Sequence, residues 1–165
     1  MAFSTKNKTS LLQRIERGWP FFLVAALVII VDQVTKALIR SHMSLYQSIP
    51  DEGPFRLTYV FNTGASFGLF RGQTIPLLIT AIIGIAALVL FFFYVPLDSK
   101  LLRIALGLQL GGAAGNLIDR IRLGGVTDFL DAGFWPVFNA ADSAVVIGVG
   151  LLLLFFLLPS KKPQS

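Results

Sequence analysis

The chain has 165 residues, 55% of them hydrophobic and 14% charged; a soluble globular domain carries roughly 25% charged residues, so the composition excludes a soluble fold and points to one membrane domain. The net charge of +5 is explained by basic residues beside an anionic leaflet, with no need for nucleic acid. No cysteine and a single histidine, His42, exclude disulfides, thiolate or histidine-rich metal sites and a cysteine nucleophile.

Residues 1–18 read as a polar, basic tail. Crossing hydrocarbon takes about 20 apolar residues, and the first such run is 19–39. It is expected to be a retained helix. It is too long for a signal-peptide core, and Ser41-His42-Met43 is a poor small-residue cleavage site. Within it, Asp32 and Lys36 stand four apart with the acid first, the better orientation for an ion pair. Thr35 shares their side, so this face is expected to point into the bundle. Segment 40–74 is too polar to span. Phe55–Asn62 reads as a strand, Pro50, Gly53 and Pro54 mark the loop before it, and Asn62-Thr63-Gly64 supplies turn chemistry. A small β-structure on the outer membrane face is expected here.

The second run is 75–95 and the third 101–117. The third holds Gln109 and several glycines, so it is expected among the other helices rather than against lipid. An outer segment, 118–136, leads to the fourth run, 137–158, and residues 159–165 form a second tail. Gly107, Gly111 and Gly115 on the third run, and Ala140, Ala144 and Gly148 on the fourth, recur every four residues. Small residues at that period let helix backbones approach in lipid. The third and fourth helices are therefore expected to be neighbours, with Asn116, Asp119 and Arg120 near Asp142.

The basic residues Lys6, Lys8, Arg14, Arg17, Lys100, Arg103, Lys161 and Lys162 fall on one side. Lys36, Arg40, Arg56, Arg71, Arg120 and Arg122 fall on the other. The first set stands in short tails and one tight turn, where the positive-inside bias acts best. Both termini are thus expected in the cytoplasm, and Asp128 and Asp142 on the outer side.

Those two aspartates are the main candidates for chemistry. An ionisable group at membrane depth is expensive and is a functional-site hypothesis by default. Taken singly, Asp142 suits a helix start, where the macrodipole favours a carboxylate, and Asp128 reads as a solvated loop residue. Together with Asn116, Asp119, Arg120 and Asn139, they crowd polar groups into one stretch of an apolar chain. Two neighbouring carboxylates suggest a shared proton. For Asp32 and Lys36 a structural ion pair outweighs catalysis.

Three patterns lead nowhere. Gly64-Ala65-Ser66-Phe67-Gly68 matches G-x-S-x-G, but that motif needs a strand–turn–helix and a later histidine, whereas His42 precedes it. Gly111-Gly112-Ala113-Ala114-Gly115 lacks the Lys-Ser/Thr of a phosphate loop. Asn7-Lys8-Thr9 is a glycosylation sequon that a cytoplasmic tail leaves unused.

Five motifs stand in order from Asp32 to Ser143: Asp32-Gln33-x-x-Lys36, Asn62-Thr63-Gly64-Ala65-x-Phe67, Gly111-Gly112-Ala113-x-Gly115-Asn116-x-x-Asp119-Arg120, Val126-x-Asp128-Phe129 and Phe138-Asn139-x-Ala141-Asp142-Ser143. This set resembles the bacterial lipoprotein signal peptidase family, signal peptidase II. The stretch Leu45–Arg56 carries no match. The resemblance implies an all-α membrane protein of four transmembrane helices, with a small outer β-cradle and a short outer helix, for which Leu123–Trp135 is the expected place. It implies an aspartic endopeptidase of the bacterial cytoplasmic membrane. Its substrate would be a diacylglyceryl-modified prolipoprotein, cut before the lipidated cysteine. Asp128 and Asp142 would be catalytic, with Asn62, Gly64, Asn116, Asp119, Arg120, Asn139, Asp32 and Lys36 supporting. No metal or cofactor is expected. The expected partners are the lipidated signal peptide and membrane lipid, and the expected state is a monomer. Two other classes fit four spans: a small proton or ion conductor, and a non-catalytic assembly subunit.

Overall fold

The computed structural model describes residues 11–64, 74–94 and 99–157. Four helices carry the chain: α1 (Leu11–His42), α2 (Thr74–Tyr94), α3 (Lys100–Leu123) and α4 (Ala140–Leu157). All four are long and apolar enough to cross a membrane. Between them, β1 (Ser48–Ile49), β2 (Arg56–Asn62) and β3 (Val126–Asp131) form one antiparallel sheet in the order β1-β2-β3. The all-α architecture with a small β-structure is therefore present. Ala65 to Gly68, with the serine of the G-x-S-x-G match, lie outside the described residues. So do Arg71, residues 95–98, Leu158, and residues 1–10 and 159–165 with Lys6, Lys8, Lys161, Lys162 and the Asn7 sequon.

Helix α3 is the hub, packed against α1, α2, α4 and β3. It starts at Ser99, whose side chain accepts from the Leu102 N–H, and stops at Gly124, a left-handed residue at φ 79. Its glycines serve two neighbours. A Cβ at Gly107 would lie 2.7 Å from the Phe21 carbonyl oxygen, and one at Gly111 2.6 Å from the Val28 Cβ, both on α1. The 107–111–115 stripe thus seats α1. Helix α4 is reached through Gly112, where a Cβ would lie 2.5 Å from the Ala141 oxygen, and through Gly148, where a Cβ would lie 2.9 Å from the Ala105 oxygen. At the far end, Phe21, Phe92, Leu102 and Leu106 form a buried cluster in which the Phe21 and Phe92 rings stack 5.1 Å apart. Residues such as Leu27, Ile30, Val34, Ile79, Ile83, Val146 and Leu153 stay exposed on the outside of the bundle, where lipid takes the place of a core.

Helix α1 starts at Leu11, inside the segment 1–18 read as a tail, and runs on to His42; two further boundaries differ from the sequence reading, and each matters for the site. Asp119 and Arg120 are not in an outer loop, because α3 runs on to Leu123 before Gly124 and Gly125 break it. Helix α4 begins at Ala140, because Phe138 is held in an extended bridge with Leu130. The short outer helix expected in Leu123–Trp135 is absent from that segment. Its Val-Thr-x-Phe pattern favours an extended chain, and it pairs with β2 as β3. The pairing shifts by one residue between Leu57 and Val60, a β-bulge that bends the strand. Ile39, Met43 and Phe129 pack together with Tyr59 and Leu130, fastening the sheet to the end of α1.

Candidate active site

The site lies where the ends of α1, α3 and α4 meet β3. Asn139 and Asp142 form a reciprocal helix cap. The Asn139 Oδ1 accepts from the Asp142 backbone N–H at 2.9 Å, and the Asp142 Oδ2 accepts from the Asn139 N–H at 3.2 Å. This is a capping box built with asparagine and aspartate. Because the Asn139 oxygen faces the helix, its Nδ2 must face the other way. There it donates to Asp128 Oδ1 at 2.7 Å.

Two further asparagines are oriented by the same logic. The Lys36 ammonium can only donate, so Asn116 turns its Oδ1 to Lys36 at 2.9 Å and its Nδ2 to Asp142 Oδ1 at 2.8 Å. The Gly64 backbone N–H donates to Asn62 Oδ1 at 2.9 Å, so the Asn62 Nδ2 donates to Asp128 Oδ2 at 2.9 Å. Gly64 thus acts by fixing Asn62. Each carboxyl receives two N–H donors, and Asn139 touches both.

Asp128 is only 3% exposed. Burial, more than the charge of Asp142, pushes its carboxyl up to about 7, against the pull of the Asn62 and Asn139 hydrogen bonds and of Lys36. Three residues along the strand, Asp131 goes the other way. The Thr58 hydroxyl, the Gly133 N–H and the Arg56 guanidinium hold it below the ordinary carboxylate range. Its Oδ2 accepts from Thr58 and from Arg56 Nη2, each at 2.7 Å.

The ion pair expected within α1 is present and fully buried, with Lys36 Nζ 2.9 Å from Asp32 Oδ2. Lys36 also lies 3.4 Å from Asp119 Oδ2. The Asp32 Oδ1 accepts from the Ala141 N–H at 3.0 Å, joining α1 to the first turn of α4. Asp119 does not face the aspartate pair. It accepts from the Thr127 N–H at 3.1 Å and from Gln33 Nε2 at 3.2 Å, tying α3 to β3 and α1. Thr35 bonds back to the α1 backbone instead of joining this network. Arg120 is half-buried and enters none of the ion pairs formed among the described residues. It is attracted most by Asp142, then by Asp128 and Asp119. All ten residues singled out from the sequence therefore gather at one end of the bundle.

Arg40, Gln33 and Thr127 were missed as site residues. Arg40 Nη1 donates to Thr127 Oγ1 at 2.9 Å and lies 3.8 Å from Asp119 Oδ2. The signal was present: Asp32, Lys36 and Arg40 repeat every four residues and share one helix face. Thr127 carried none, since its backbone N–H does part of the work.

A cavity of about 610 Å³ opens beside Asp142. Phe134, Trp135, Phe138, Val146 and Ile147 make it mostly apolar. The arrangement offers two carboxyls of unequal setting, a half-buried cation and an apolar chamber, which suits acid–base hydrolysis of a substrate with an apolar part.

Comparison with known proteins agrees. The family model for signal peptidase (SPase) II matches residues 24–158. The lipoprotein signal peptidase of Moorella thermoacetica is 46% identical over 142 residues, covering 86% of this chain and 95% of its own. That of Halothermothrix orenii is 44% identical over 135 residues, covering 81% and 92%. Two solved structures described as bacterial membrane enzymes are also similar. One gives a TM-score of 0.80 at 35% identity over 88% of this chain and 93% of that one. The other gives 0.76 at 36% identity over 85% and 94%. With four membrane-length helices, an ordered motif set and two carboxyls sharing one asparagine, the chain belongs to the signal peptidase II family.

Proposed function

We propose that Asp128 and Asp142 are the catalytic pair of this multi-pass bacterial membrane endopeptidase. The observation that carries the reading is their common partner, Asn139, which bonds both carboxyls. Carboxyls this closely linked cannot both ionise cheaply, so the pair keeps one proton. Three cations, Lys36, Arg40 and Arg120, face Asp32, Asp119 and the pair, so one shared proton leaves the charges balanced. The ionised carboxyl takes a proton from water as the water oxygen bonds to the scissile carbonyl carbon. The protonated carboxyl gives its proton to the carbonyl oxygen. As the carbon–nitrogen bond breaks, the proton taken from water passes to the departing nitrogen, and the diol proton returns to the second carboxyl.

The substrate is a prolipoprotein carrying a diacylglyceryl cysteine, cut on the amino side of that cysteine. The apolar cavity beside Asp142 offers a place for its acyl groups, and membrane burial of those chains localises the peptide. Arg120, drawn toward Asp142, would hold a substrate carbonyl. One copy of the chain carries the pair and all its donors, so a monomer suffices. Both termini lie in the cytoplasm and the pair faces outward, as the basic residues of the tails favour.

The test is incubation of purified protein with matched lipidated and unlipidated signal peptides. Cleavage of the lipidated peptide alone is expected. Equal cleavage of both would overturn the substrate assignment, and no cleavage of either would overturn the activity.

A further inference from the structure

We infer that Lys36 is a positioning residue: acting through the Asn116 amide, it makes Asp142 the ionised member of the pair and leaves the shared proton on Asp128. This rests on the reading of those two residues as the catalytic pair.

The two carboxyls each accept two N–H groups, so the number of donors does not separate them. The quality of the donors does. The Asn116 oxygen accepts from an ammonium at 2.9 Å, and its Nδ2 reaches Asp142 at 2.8 Å. An amide polarised by a cation at its oxygen is a stronger donor at its nitrogen. Lys36 Nζ is fully buried, within 2.9 Å of Asp32, 3.4 Å of Asp119 and 2.9 Å of Asn116 Oδ1, so the ammonium and the amide it orients are held in place. The second donor to Asp142 is the backbone N–H of Asn139, and Asp142 stands in the first turn of α4, where the helix dipole favours an anion. Arg120 is attracted to Asp142 more than to any other carboxyl.

Asp128 has donors that no cation polarises, and one of them, the Asn139 Nδ2, is shared with the Asn116 Oδ1 at 3.1 Å. Both its donors are amides whose oxygens accept from backbone N–H groups, Gly64 for Asn62 and Asp142 for Asn139. It sits on a strand, which lends almost no dipole. It is almost wholly buried, whereas Asp142 is half-buried against the cavity. A charge retains more solvent at Asp142, and a proton is better kept on Asp128. Of the other charged groups packed around the pair, Asp32 opposes a charge on Asp142 and Lys36 offsets it. On α1, Asp32 is paired with Lys36. On α3, Asp119 is neutralised by Lys36 and Arg40.

The assignment gives each residue one role. Asp142, at the cavity, is the base that takes the water proton and passes it to the departing nitrogen. Asp128 protonates the carbonyl oxygen and recovers that proton when the diol collapses.

The experiment is the pH profile of kcat/KM on a lipidated signal peptide for the wild type, Asn116→Ala, Lys36→Met and Asn62→Ala. Asn116→Ala and Lys36→Met should move the acid limb to higher pH, by about one unit or more, because the base is harder to ionise. Asn62→Ala should move the alkaline limb to higher pH and leave the acid limb in place. The opposite pattern, with Asn116→Ala moving the alkaline limb and Asn62→Ala the acid limb, would put the proton on Asp142. Two unmoved limbs would make Lys36 merely structural. Lys36→Met leaves Asp32 and Asp119 without their cation, so Asn116→Ala, which keeps that ion pair, decides the matter if Lys36→Met does not fold. Where turnover is too slow, an infrared titration of the protonated carboxyl band reads the same two steps. Turnover surviving in Asp128→Asn or Asp142→Asn would instead sink the pair itself, an outcome distinct from a reversed order of limbs.

Discussion

Asn139 does two jobs with two atoms. Its Oδ1 caps α4 through the Asp142 N–H, and its Nδ2 holds Asp128. The start of the last helix and the geometry of the pair are therefore one feature, and the two jobs separate by substitution. Asn139→Ser keeps a capping oxygen and loses the donor to Asp128, whereas Asn139→Ala loses both. The alanine variant should be less stable than the serine variant by about 1 kcal/mol. Both should lose roughly 10- to 100-fold in kcat, the value of a hydrogen bond to a charged or proton-sharing group. Thermal unfolding in detergent and turnover on one peptide check the two halves together.

Replacing either aspartate by its neutral isostere should remove the acid–base cycle. Asp128→Asn and Asp142→Asn are each expected to lower kcat by on the order of 10³-fold or more, with expression and membrane insertion unchanged. Accumulation of uncleaved prolipoprotein in cells carrying each variant, beside an immunoblot for the enzyme, is the measurement.

The pH dependence follows from Asp128, raised to about 7 chiefly by burial. In its proposed role of proton donor it would fail once ionised, so kcat/KM should fall as pH rises through about 7 and level off as pH drops below it until the base is protonated. The sign for stability is the same. The folded protein binds a proton that the unfolded chain releases, so this group's contribution is fully present below the ordinary carboxylate range and is lost as pH rises toward 7. Asp131 behaves oppositely, because its folded state favours the charge. Its contribution is present at neutral pH and is lost in acid, below the ordinary range. Unfolding midpoints of Asp131→Asn and wild type should therefore converge at low pH.

Gly115 is the glycine that touches the site. A Cβ there would lie 2.6 Å from Asp32 Oδ2 and 3.3 Å from the Ala141 Cβ. Asp32 is held by Lys36 and by the Ala141 N–H, so it has no room to retreat. Gly115→Ala should destabilise by about 2–3 kcal/mol and depress turnover. Gly84, on α2, has nothing within 4 Å of such a Cβ, and Gly84→Ala should be neutral or slightly stabilising. Paired melting curves distinguish the two sites.

The four spans were legible because apolar length is a strong signal, and the Asp32–Lys36 pair because spacing on a helix fixes proximity. The strand at Phe55–Asn62 was legible from its β-branched and aromatic residues. The partner strand was not. Val126–Asp131 is short and flanked by glycines, and its pairing with residues some seventy positions earlier leaves no local trace. Asp119 was placed in a loop because the apolar pattern of α3 fades after Leu117, although the helix continues to Leu123. The glycine stripe was recognised as a packing face, but the sequence did not say that α1 would fill it while Gly112 received α4. The roles of Gly64 and Thr127 lie in backbone N–H groups, which every residue but proline possesses.

The three asparagines carry one further consequence. Each is locked by a donor that exists before any peptide arrives: an ammonium for Asn116, a turn N–H for Asn62 and a helix N–H for Asn139. None has to rotate when charge moves between water, carbonyl and carboxyl. The reorganisation that bulk water would need during hydrolysis is replaced by dipoles already in place, and the enzyme's speed is set in advance by its folding.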